Sequence, residues 1–585
     1  MALARRAVLR FPLFAGLACA ICAATAAHAQ QGAPEPASGF RARQSVNAPR
    51  FMVAAAHPLA VEAGYGVLQR GGTAIDAAVT MQMVLNLVEP QSSGIGGGAF
   101  ILHYSAAETK LRAYDGRETA PAAARGDRFL GADGRPKTFL DAVVGGKGVG
   151  TPGVLRALEL AHAKHGKLPW AELFQPAIRL ATEGFPLSPR LHNLLTLVRL
   201  AARDQDMRHM YYQDDDTAKP VGTLLKSPAL ADTLKKIAAQ GANAFYEGEI
   251  ARDIADKVRN APNPGDLSEN DLRQYRAKLR EPLCGPYRQW KVCSMPPPSS
   301  GGVAILQVLG ILQLLAPDGL PSDSVRTAHL IAESERLAYA DRERYLADAD
   351  FVPVPLAGLM APEYLAERAA LVRRDRSLNH ALAGTPPGAP LAKLGDDASP
   401  ELPSTTHLSI VDAEGNAVAM TSSIEFAFGS QQMVHGFLLN NQLTDFSFVA
   451  QQEGRQVANR VEAGKRPRST MAPTMVFDRD GKLVLALGSA GGSAIINHVV
   501  KILVAALDRN MDIQQAIDEP NFGSRNGPTE LERGTAAADW ADPLTALHHD
   551  VRLIEMTSGV HGIQRTRSGW RGGADPRREG VAKGD

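Results

Sequence analysis

The sequence predicts an α+β fold in which a helix-rich first part and a strand-led second part follow one another along the chain. Helical apolar periodicity recurs as far as Tyr345, and strand patterns bounded by turn residues begin at Thr405. Between them, residues 377–404 are crowded with proline and glycine and show little periodicity, which is typical of an exposed loop or linker. Helices followed by strands along the chain are compatible with an α+β fold.

The helical pattern of the first part recurs in six segments. The earliest begins where Thr73 and Asp76 form a capping-box-like start, and it is apolar on nearly all faces to Val88, which indicates a buried core helix. The other five segments are residues 154–165, 170–183, 230–240, 303–315 and the charged, amphipathic 327–345. Their periodicity predicts that this part of the chain is built mainly from helices.

Two antiparallel strand pairs are predicted in the second part. Each pair is joined by a short turn rich in Asp, Gly or Asn, which is the chemistry of a hairpin. The pairs are residues 405–411 with 417–424 and residues 473–478 with 482–487. The closing segment, residues 558–585, is rich in Gly and Arg and is compatible with either a solvated tail or a packed final hairpin.

Composition excludes several classes of protein. The chain has 585 residues, 45% of them hydrophobic and 21% charged, and its 54 Gly and 38 Pro are too few for a collagen-like or wholly disordered chain. Lys and Arg number 63 against 62 Asp and Glu, so the charge balance offers no footprint for nucleic acid or an anionic membrane. A small polar partner is therefore expected.

The N-terminus has the pattern of a signal peptide. Three arginines precede the apolar residues 11–24, and Ala27 and Ala29 supply the small residues before a cleavage site, so residues 1–29 are predicted to be removed and the mature chain to begin near Gln30. Cys19 follows Gly-Leu-Ala and resembles a lipoprotein site, but the apolar run continues past it. We expect a periplasmic or secreted protein without a membrane span.

Two cysteines remain after that cleavage, Cys284 and Cys293. A hairpin folded at residues 288–289 would place them directly opposite each other, and an exported protein meets oxidising conditions, so a disulfide is plausible. A reduced, half-buried pair fits the same spacing. Two ligands alone do not make a zinc site.

Other motifs favour structural interpretations. Residues 94–99 loosely satisfy the glycine fingerprint of dinucleotide-binding folds, but a strand pattern follows at residues 100–104 where that fingerprint requires a helix, so the glycines indicate close backbone packing. The adjacent His548 and His549 are expected to be surface histidines rather than metal ligands. The nucleophile elbow, the Walker loop and His-Glu-x-x-His are all absent from the sequence.

The most informative position is Thr405, where the proline-rich segment meets the first strand of the second part. A threonine hydroxyl is a poor nucleophile unless a base lies beside it, and cleavage before Thr405 would supply its own α-amine, with a pKa of about 8, as that base. In this chemistry the Thr405 hydroxyl attacks the Ser404 carbonyl, and water then resolves the ester into two chains. The pattern alone is also compatible with an ordinary exposed Ser/Thr turn.

A resemblance to a known family favours Thr405 as a nucleophile over an ordinary Ser/Thr turn. In the second part it is carried by residues 405–423, 428–429, 439–447 (LNNQLTDFS), 465–471 (KRPRSTM) and 488–493 (GSAGGS). Upstream it is carried by residues 94–98, 115–118, 150–153, 168–172, 295–302 and 336–341. In order and spacing these stretches resemble the γ-glutamyltransferase (glutathione hydrolase) family, from about residue 50 to the end.

The resemblance implies an N-terminal-nucleophile hydrolase: a four-layer αββα sandwich assembled from both products of an autocleaved precursor. It implies a large subunit of residues 30–404 and a small subunit of residues 405–585, joined as a heterodimer. It also implies an enzyme that takes the γ-glutamyl group of glutathione or another γ-glutamyl amide onto Thr405 and passes it to water or to an amino acid or peptide amine. No cofactor and no metal are required.

The resemblance also implies roles for individual residues. Thr405 would be the nucleophile in both reactions, Gly491 and Gly492 would offer backbone N–H groups to the oxyanion, and Thr421 and Ser423 would hold the Thr405 hydroxyl. The remaining positions match residues that bind the glutamate head group. Those for its α-carboxylate are Arg117, Ser469 and Thr470, and those for its α-ammonium are Gln442 and Asp445.

Two departures from the family pattern bear on substrate. Glu425 stands where many members have an asparagine, and it could pair with the α-ammonium or repel the α-carboxylate. Residues 449–464 correspond to a lid that often presents an aromatic side chain, but they contain none here, so we expect a more open site. Ser423, in place of the usual threonine, keeps the hydroxyl.

Two alternatives to the transferase remain open at this point. Relatives of the family act as acylases on glutaryl-type β-lactam side chains, and Glu425 with an open site leaves room for that activity. The second alternative is an uncleaved or inactive periplasmic binding protein that keeps the scaffold without turnover.

Overall fold

The computed structural model describes residues 38–198, 204–320, 324–399 and 404–585. The predicted signal peptide and residues 400–403 of the predicted linker lie outside these residues. Within them, no helix is both long and apolar enough to cross a bilayer.

Helices are concentrated before Thr405, as the periodicity predicts. They are α1 Pro58–Gln69, α2 Ala74–Val88, α3 Phe139–Val143, α4 Val154–His165, α5 Trp170–Leu173, α6 Gln175–Glu183, α7 Pro189–Leu197, α8 Gln205–Tyr211, α9 Pro228–Gln240, α10 Asn243–Tyr246, α11 Glu249–Asn260, α12 Glu269–Gln274, α13 Gly301–Leu315, α14 Ser324–Tyr345, α15 Leu356–Leu359, α16 Pro362–Ala369, α17 Ile495–Leu507, α18 Ile513–Asp518 and α19 Ala541–Ala546. The single helix expected over residues 170–183 is divided at Phe174 into α5 and α6.

The strands come from both sides of Thr405. They are β1 Val46–Ala48, β2 Met52–Ala55, β3 Gly98–Ser105, β4 Lys110–Gly116, β5 Phe185–Pro186, β6 Leu224–Leu225, β7 Lys278–Arg280, β8 Leu283–Tyr287, β9 Trp290–Ser294, β10 Thr406–Val411, β11 Ala417–Ser423, β12 Met433–Val434, β13 Phe437–Leu438, β14 Gln451–Gln452, β15 Arg455–Gln456, β16 Thr474–Phe477, β17 Leu483–Gly488, β18 Phe522–Ser524, β19 Thr529–Glu532, β20 Val551–Ile554, β21 His561–Thr566, β22 Gly569–Ala574 and β23 Val581–Gly584.

Two seven-stranded antiparallel sheets form the centre of the molecule. The first sheet has the order β23-β2-β10-β11-β3-β4-β7 and the second has the order β1-β22-β21-β17-β16-β9-β8. β10 and β11 of the first sheet pack against β17 and β21 of the second. Helices α1, α2 and α4 cover the outer face of the first sheet, and α13, α17 and α18 cover that of the second. The predicted α+β class and the αββα layers are confirmed.

Helices α2 and α14 are both largely buried, but their sequences differ. Every residue of α2 is buried, and Thr73 and Asp76 form the expected capping box. The charged α14 was expected to be amphipathic, yet its side chains are buried on nearly all faces from Thr327 to Arg342. Its charges are tolerated there because they are paired: Arg336, for example, donates to Glu333 at 2.9 Å and to the Thr529 hydroxyl at 2.7 Å.

Three further expectations are settled by the fold. Cys284 and Cys293 face each other across the β8–β9 hairpin and form a disulfide with an S–S distance of 2.04 Å. The closing segment is a packed hairpin, β21–β22, followed by β23, rather than a solvated tail. The surface interpretation of His549 is wrong, because its ring is buried against His329 of α14, whereas its neighbour His548 is exposed.

Candidate active site

The predicted nucleophile lies where the chain enters β10, between the two sheets. Thr405 is buried, and its hydroxyl donates to the carbonyl of Ser404, the residue whose peptide bond would be cut. The Ser404 hydroxyl donates to the Gln91 carbonyl at 2.9 Å, and Arg578 donates to the Thr405 carbonyl at 3.0 Å. Both residues flanking this peptide bond are therefore fixed by contacts with segments distant in sequence.

β11 supplies the two predicted hydroxyl residues, but they have different partners. Ser423 donates to the Ser404 carbonyl at 3.0 Å and accepts the N–H of Glu425 at 2.8 Å. Thr421 lies on the same face of β11 and instead contacts Nδ1 of His407 at 2.8 Å. Ser423 is thus brought to the peptide bond before Thr405, and Thr421 to the imidazole on the neighbouring strand.

The hydrogen bonds of His407 fix its tautomer. Nε2 lies 3.1 Å from the Ser409 hydroxyl, which itself donates to the His561 carbonyl, so Nε2 carries the proton and Nδ1 accepts from Thr421. Burial lowers the pKa of His407 well below its ordinary value, which keeps the ring neutral. The sequence analysis did not single out this residue, although it stands two positions after Thr405 on the same face of the strand.

The glycines of residues 94–98 permit close packing beside the site, as predicted. A Cβ placed on Gly97 would lie 2.2 Å from the Ser423 carbonyl, and one on Gly96 would lie 2.0 Å from the Leu438 carbonyl. Residues 94–98 therefore pack directly against the end of β11, which carries Ser423. No larger residue fits at either position without displacing the backbone.

Gly491 and Gly492 follow β17 and precede α17. Gly491 has φ 124° and Gly492 has φ 55°, a region that favours glycine. Within the described residues, neither backbone N–H has an intramolecular acceptor. Gly492 lines one pocket together with Thr405 and Ser423, and Gly491 is its neighbour in the chain.

The same pocket contains the predicted head-group residues. Besides Thr405, Ser423 and Gly492, it is lined by Arg117, Glu425, Gln442, Asp445, Arg468, Ser469, Thr470, Met471, Ser493 and Ile495. The sequence analysis missed Arg468, Met471, Ser493 and Ile495. Arg468 stands within the motif of residues 465–471 and had a signal there, whereas nothing in the sequence marks Ile495 of α17 as a pocket residue.

Arg117 is a fully buried cation held in one orientation. Its guanidinium donates to Asp445 through Nη2, to the Arg468 carbonyl at 2.8 Å and to the Pro467 carbonyl at 3.1 Å. Burial alone lowers its pKa, but Asp445, Glu118 and Glu425 outweigh burial and raise it, so Arg117 stays charged. Its Nη1 is buried without a hydrogen-bond acceptor among the described residues.

Two carboxylates lie in the pocket with this cation: Asp445, which contacts it, and Glu425. The side-chain amide of Gln442 donates to Glu425 at 2.8 Å and to Asp445 at 2.9 Å, and so connects the two. Gln442 and Asp445 are the ends of one 3₁₀ turn, Gln442–Asp445, while Glu425 follows β11 with φ 79°. The departure at Glu425 therefore adds a second carboxylate beside Asp445, on the side predicted to bind an ammonium group.

Neighbouring charges are largely neutralised. Burial raises the pKa of Glu118, 3.8 Å from Arg117, to about 8, so this group is mainly uncharged at neutral pH. Arg468 pairs with Glu343 at 2.9 Å and with Asp397 at 3.2 Å. Both arginines of the pocket are therefore paired with carboxylates, Arg117 with Asp445 and Arg468 with Glu343 and Asp397.

Residues 469–471 form the opposite wall. The Ser469 carbonyl accepts from the backbone N–H and the hydroxyl of Ser300, both at 2.7 Å, while the Ser469 hydroxyl accepts the Met471 N–H at 3.1 Å. This wall is therefore fixed to the start of α13. Residues 449–464, predicted to leave the site open, include the exposed hairpin β14–β15 and contribute no residue to the pocket lining.

Outside this pocket, one cluster among the described residues contains the side-chain types that bind metal ions. His329, Glu333 and His549 are buried, with potential ligand atoms within 4.8 Å of one another. Their hydrogen bonds already account for them: His549 contacts His329 at 2.7 Å and Thr529 at 2.7 Å, and Glu333 accepts from Arg336, Ser377 and Leu378. The cluster connects α14 to later segments as a hydrogen-bond network.

Comparison with known proteins agrees with the geometry. The gamma-glutamyltranspeptidase family model matches residues 60–585. The glutathione hydrolase proenzyme of Bacillus subtilis strain 168 is 36% identical over 552 residues, covering 91% of each chain. The acylase ACY 1 proenzyme of Pseudomonas sp. strain V22 is 35% identical over 525 residues, covering 88% of this chain and 89% of its own.

A solved structure extends the likeness to the fold. The cephalosporin acylase from Bacillus halodurans superposes with a TM-score of 0.80 at 26% identity, over 93% of this chain and 97% of that one. The match of the family model from residue 60 to the last residue, together with relatives above 30% identity over most of their length, shows that the chain belongs to the γ-glutamyltranspeptidase family of enzymes.

Proposed function

We propose that this chain is the precursor of a glutathione hydrolase and γ-glutamyltransferase that cleaves itself before Thr405 and then uses Thr405 as its nucleophile. The observation that carries the proposal is the position of the Thr405 hydroxyl. It contacts the Ser404 carbonyl beside Ser423, at the edge of a pocket that holds Arg117 and Asp445.

Autocleavage follows from that contact as an N-to-O acyl shift. The Thr405 oxygen bonds to the Ser404 carbonyl carbon while its proton passes, finally, to the Thr405 nitrogen, which leaves as an amine. The carbonyl oxygen becomes negatively charged in between, and the Ser423 hydroxyl at 3.0 Å donates to it. Water then hydrolyses the ester, giving a large chain that ends at Ser404 and a small chain that begins at Thr405.

The free α-amine of Thr405 then serves as the base of the second reaction. It accepts the hydroxyl proton as the oxygen attacks the γ-carbonyl of a donor, and it returns a proton to the leaving amine. The amides of Gly491 and Gly492, which have no acceptor in the described part of the chain, would donate to the oxyanion of this step. Water or an amino acid or peptide amine attacks the resulting ester and frees Thr405.

Recognition of the donor head group follows from the pocket charges. The guanidinium of Arg117, with the hydroxyls of Ser469 and Thr470, would bind an α-carboxylate. Asp445 and Glu425, already connected by Gln442, would accept the α-ammonium. Replacing Arg117 should therefore weaken donors that carry an α-carboxylate by about 2 kcal/mol or more, measured as kcat/KM.

An acylase acting on glutaryl-type amides is the second candidate. The similarity to the ACY 1 proenzyme and to the cephalosporin acylase structure supports it. The pocket charges argue against it, because a glutaryl group has a carboxylate but no ammonium group to bind at Asp445 and Glu425, the two carboxylates that Gln442 connects.

We further propose that the precursor is exported and works as a heterodimer. Support comes from the N-terminal signal pattern, from the Cys284–Cys293 disulfide and from the proenzyme relatives. Both central sheets contain strands from each side of Thr405, so residues 30–404 and 405–585 are expected to stay together after cleavage. Fractionation of cells and an intact mass of the purified protein test these points.

The deciding assay is release of a chromogenic amine from a γ-glutamyl anilide by the cleaved protein, with and without a dipeptide acceptor. Thr405→Ala is the control and should remain a single inactive chain. Release that the dipeptide accelerates supports the transferase, whereas release without acceleration supports a hydrolase. A cleaved protein that acts only on a glutaryl anilide supports the acylase, and an uncleaved wild-type chain contradicts both enzymes and favours a binding role.

A further inference from the structure

A buried histidine lies directly over the first oxyanion glycine. His498, on the first turn of α17, is 1% exposed, and a Cβ built on Gly491 would lie 2.9 Å from its Cε1 and 3.2 Å from its Nδ1. The ring therefore occupies the space that a side chain at Gly491 would need. Nothing in the sequence motifs marked this residue.

The contacts of His498 fix which nitrogen carries the proton. Nδ1 lies 3.1 Å from the Ala490 carbonyl and 3.1 Å from the Ser489 hydroxyl. A carbonyl oxygen only accepts, so the proton is on Nδ1. Burial lowers the pKa of His498 to about 3, so the ring is a neutral single donor at working pH. Its Nε2 has no hydrogen-bond partner among the described residues.

The Ala490 carbonyl, which accepts from His498 and also from the Ser489 hydroxyl at 2.7 Å, belongs to the peptide that supplies the Gly491 N–H. In a planar trans peptide, the C=O of one residue and the N–H of the next point in opposite directions. Fixing the Ala490 carbonyl toward the imidazole therefore turns the Gly491 N–H away from His498. This N–H has no acceptor among the described residues, and the adjacent Gly492 lines the pocket with Thr405.

We propose that His498 is a positioning residue for the oxyanion site: by holding the Ala490 carbonyl, it orients the Gly491 N–H toward the carbonyl oxygen of the acyl donor. Gly491, at φ 124°, has the conformational freedom to rotate, so the loop needs such an external restraint. The proposal rests on the function proposed above, because it assumes that acyl transfer takes place at Thr405.

Asparagine and glutamine variants test the role of the Nδ1 proton. The amide nitrogen of asparagine corresponds to Nδ1 of histidine, whereas that of glutamine corresponds to Nε2. We expect His498→Gln and His498→Leu to lower kcat for the γ-glutamyl anilide by about 10- to 100-fold with little change in KM, since one oxyanion donor contributes about 100-fold or more. His498→Asn should stay within about threefold of wild type.

The same variants separate positioning from simple packing. If His498→Asn and His498→Gln lose activity equally, or if His498→Leu keeps wild-type kcat, the proposal is wrong. Crystal structures of the cleaved variants provide a readout that needs no substrate: the Ala490–Gly491 peptide should be rotated in His498→Leu and unchanged in His498→Asn. An unrotated peptide in His498→Leu contradicts the proposal even if the wild type proves to have no γ-glutamyl activity, which would contradict only the proposed function.

Discussion

Replacing Ser423 by alanine should arrest the precursor before cleavage. The Ser423 hydroxyl is 3.0 Å from the Ser404 carbonyl oxygen, the atom that becomes negatively charged when Thr405 attacks. Removing one such donor costs about 2.7 to 4 kcal/mol of transition-state stabilisation, or roughly 100- to 1,000-fold in rate. The same change leaves the N–H of Glu425 without its 2.8 Å acceptor, which costs a further 1 to 3 kcal/mol or so of stability.

The assay is a time course of the uncut chain and its two products on a denaturing gel, with intact mass to identify the new N-terminus. Ser423→Thr is the matched control because it keeps the hydroxyl and adds one methyl group, and it should cleave at nearly the wild-type rate. Circular dichroism establishes that both variants are folded. If folded Ser423→Ala cleaves as fast as wild type, the assigned role of this hydroxyl is refuted.

Three other predictions concern charge, pH and the disulfide. Glu425→Gln should narrow the preference for a γ-glutamyl over a glutaryl anilide by about tenfold in kcat/KM, because one of two carboxylates facing the acyl group becomes neutral; an unchanged ratio would mean that Glu425 does not face the head group. Burial lowers the pKa of His103 to about 3, so the unfolded chain binds a proton below pH 6.5 that the native state does not. His103 should therefore lower the free energy of unfolding by about 2 kcal/mol between pH 7.5 and pH 5. In denaturant titrations, His103→Phe should lose about 2 kcal/mol less than the wild type over this range. If the two proteins show the same pH dependence, His103 is not a source of the acid destabilisation. Cys284→Ser should lower the free energy of unfolding by about 2 to 3 kcal/mol, because the unfolded chain loses a covalent constraint. Reductant should lower the free energy of unfolding of the wild type but not of this variant. If reductant still destabilises Cys284→Ser, the Cys284–Cys293 bond is not the source of the effect.

Local signals in the sequence were sufficient for several of the elements and for part of the site. The capping box at Thr73 and the hairpin around Asp480-Gly481 depend on neighbouring residues, and both are present in the structure. Thr405 stands out because it lies between two kinds of sequence, but the resemblance to the family, not this position, favours it as the nucleophile. The glycines before β3 were correctly interpreted as packing positions, since a strand follows them.

Contacts between distant segments could not be predicted in the same way. His549 is buried because α14, 220 residues earlier in the chain, presents His329 to it. The buried charges of α14 are stabilised by partners such as Thr529, which no helical pattern reveals. His498 stands seven residues after Gly491, but its contact with the Ala490 carbonyl depends on the turn between β17 and α17.

Whether Thr405 carries the acyl group is decided by the mass of the chain that begins at Thr405, taken after brief reaction with a γ-glutamyl amide and an acid quench. We expect this chain to gain the mass of one γ-glutamyl group, peptide mapping to place the group on Thr405, and an added dipeptide to remove it. An uncut precursor, or a γ-glutamyl group attached to any other residue, would contradict the account.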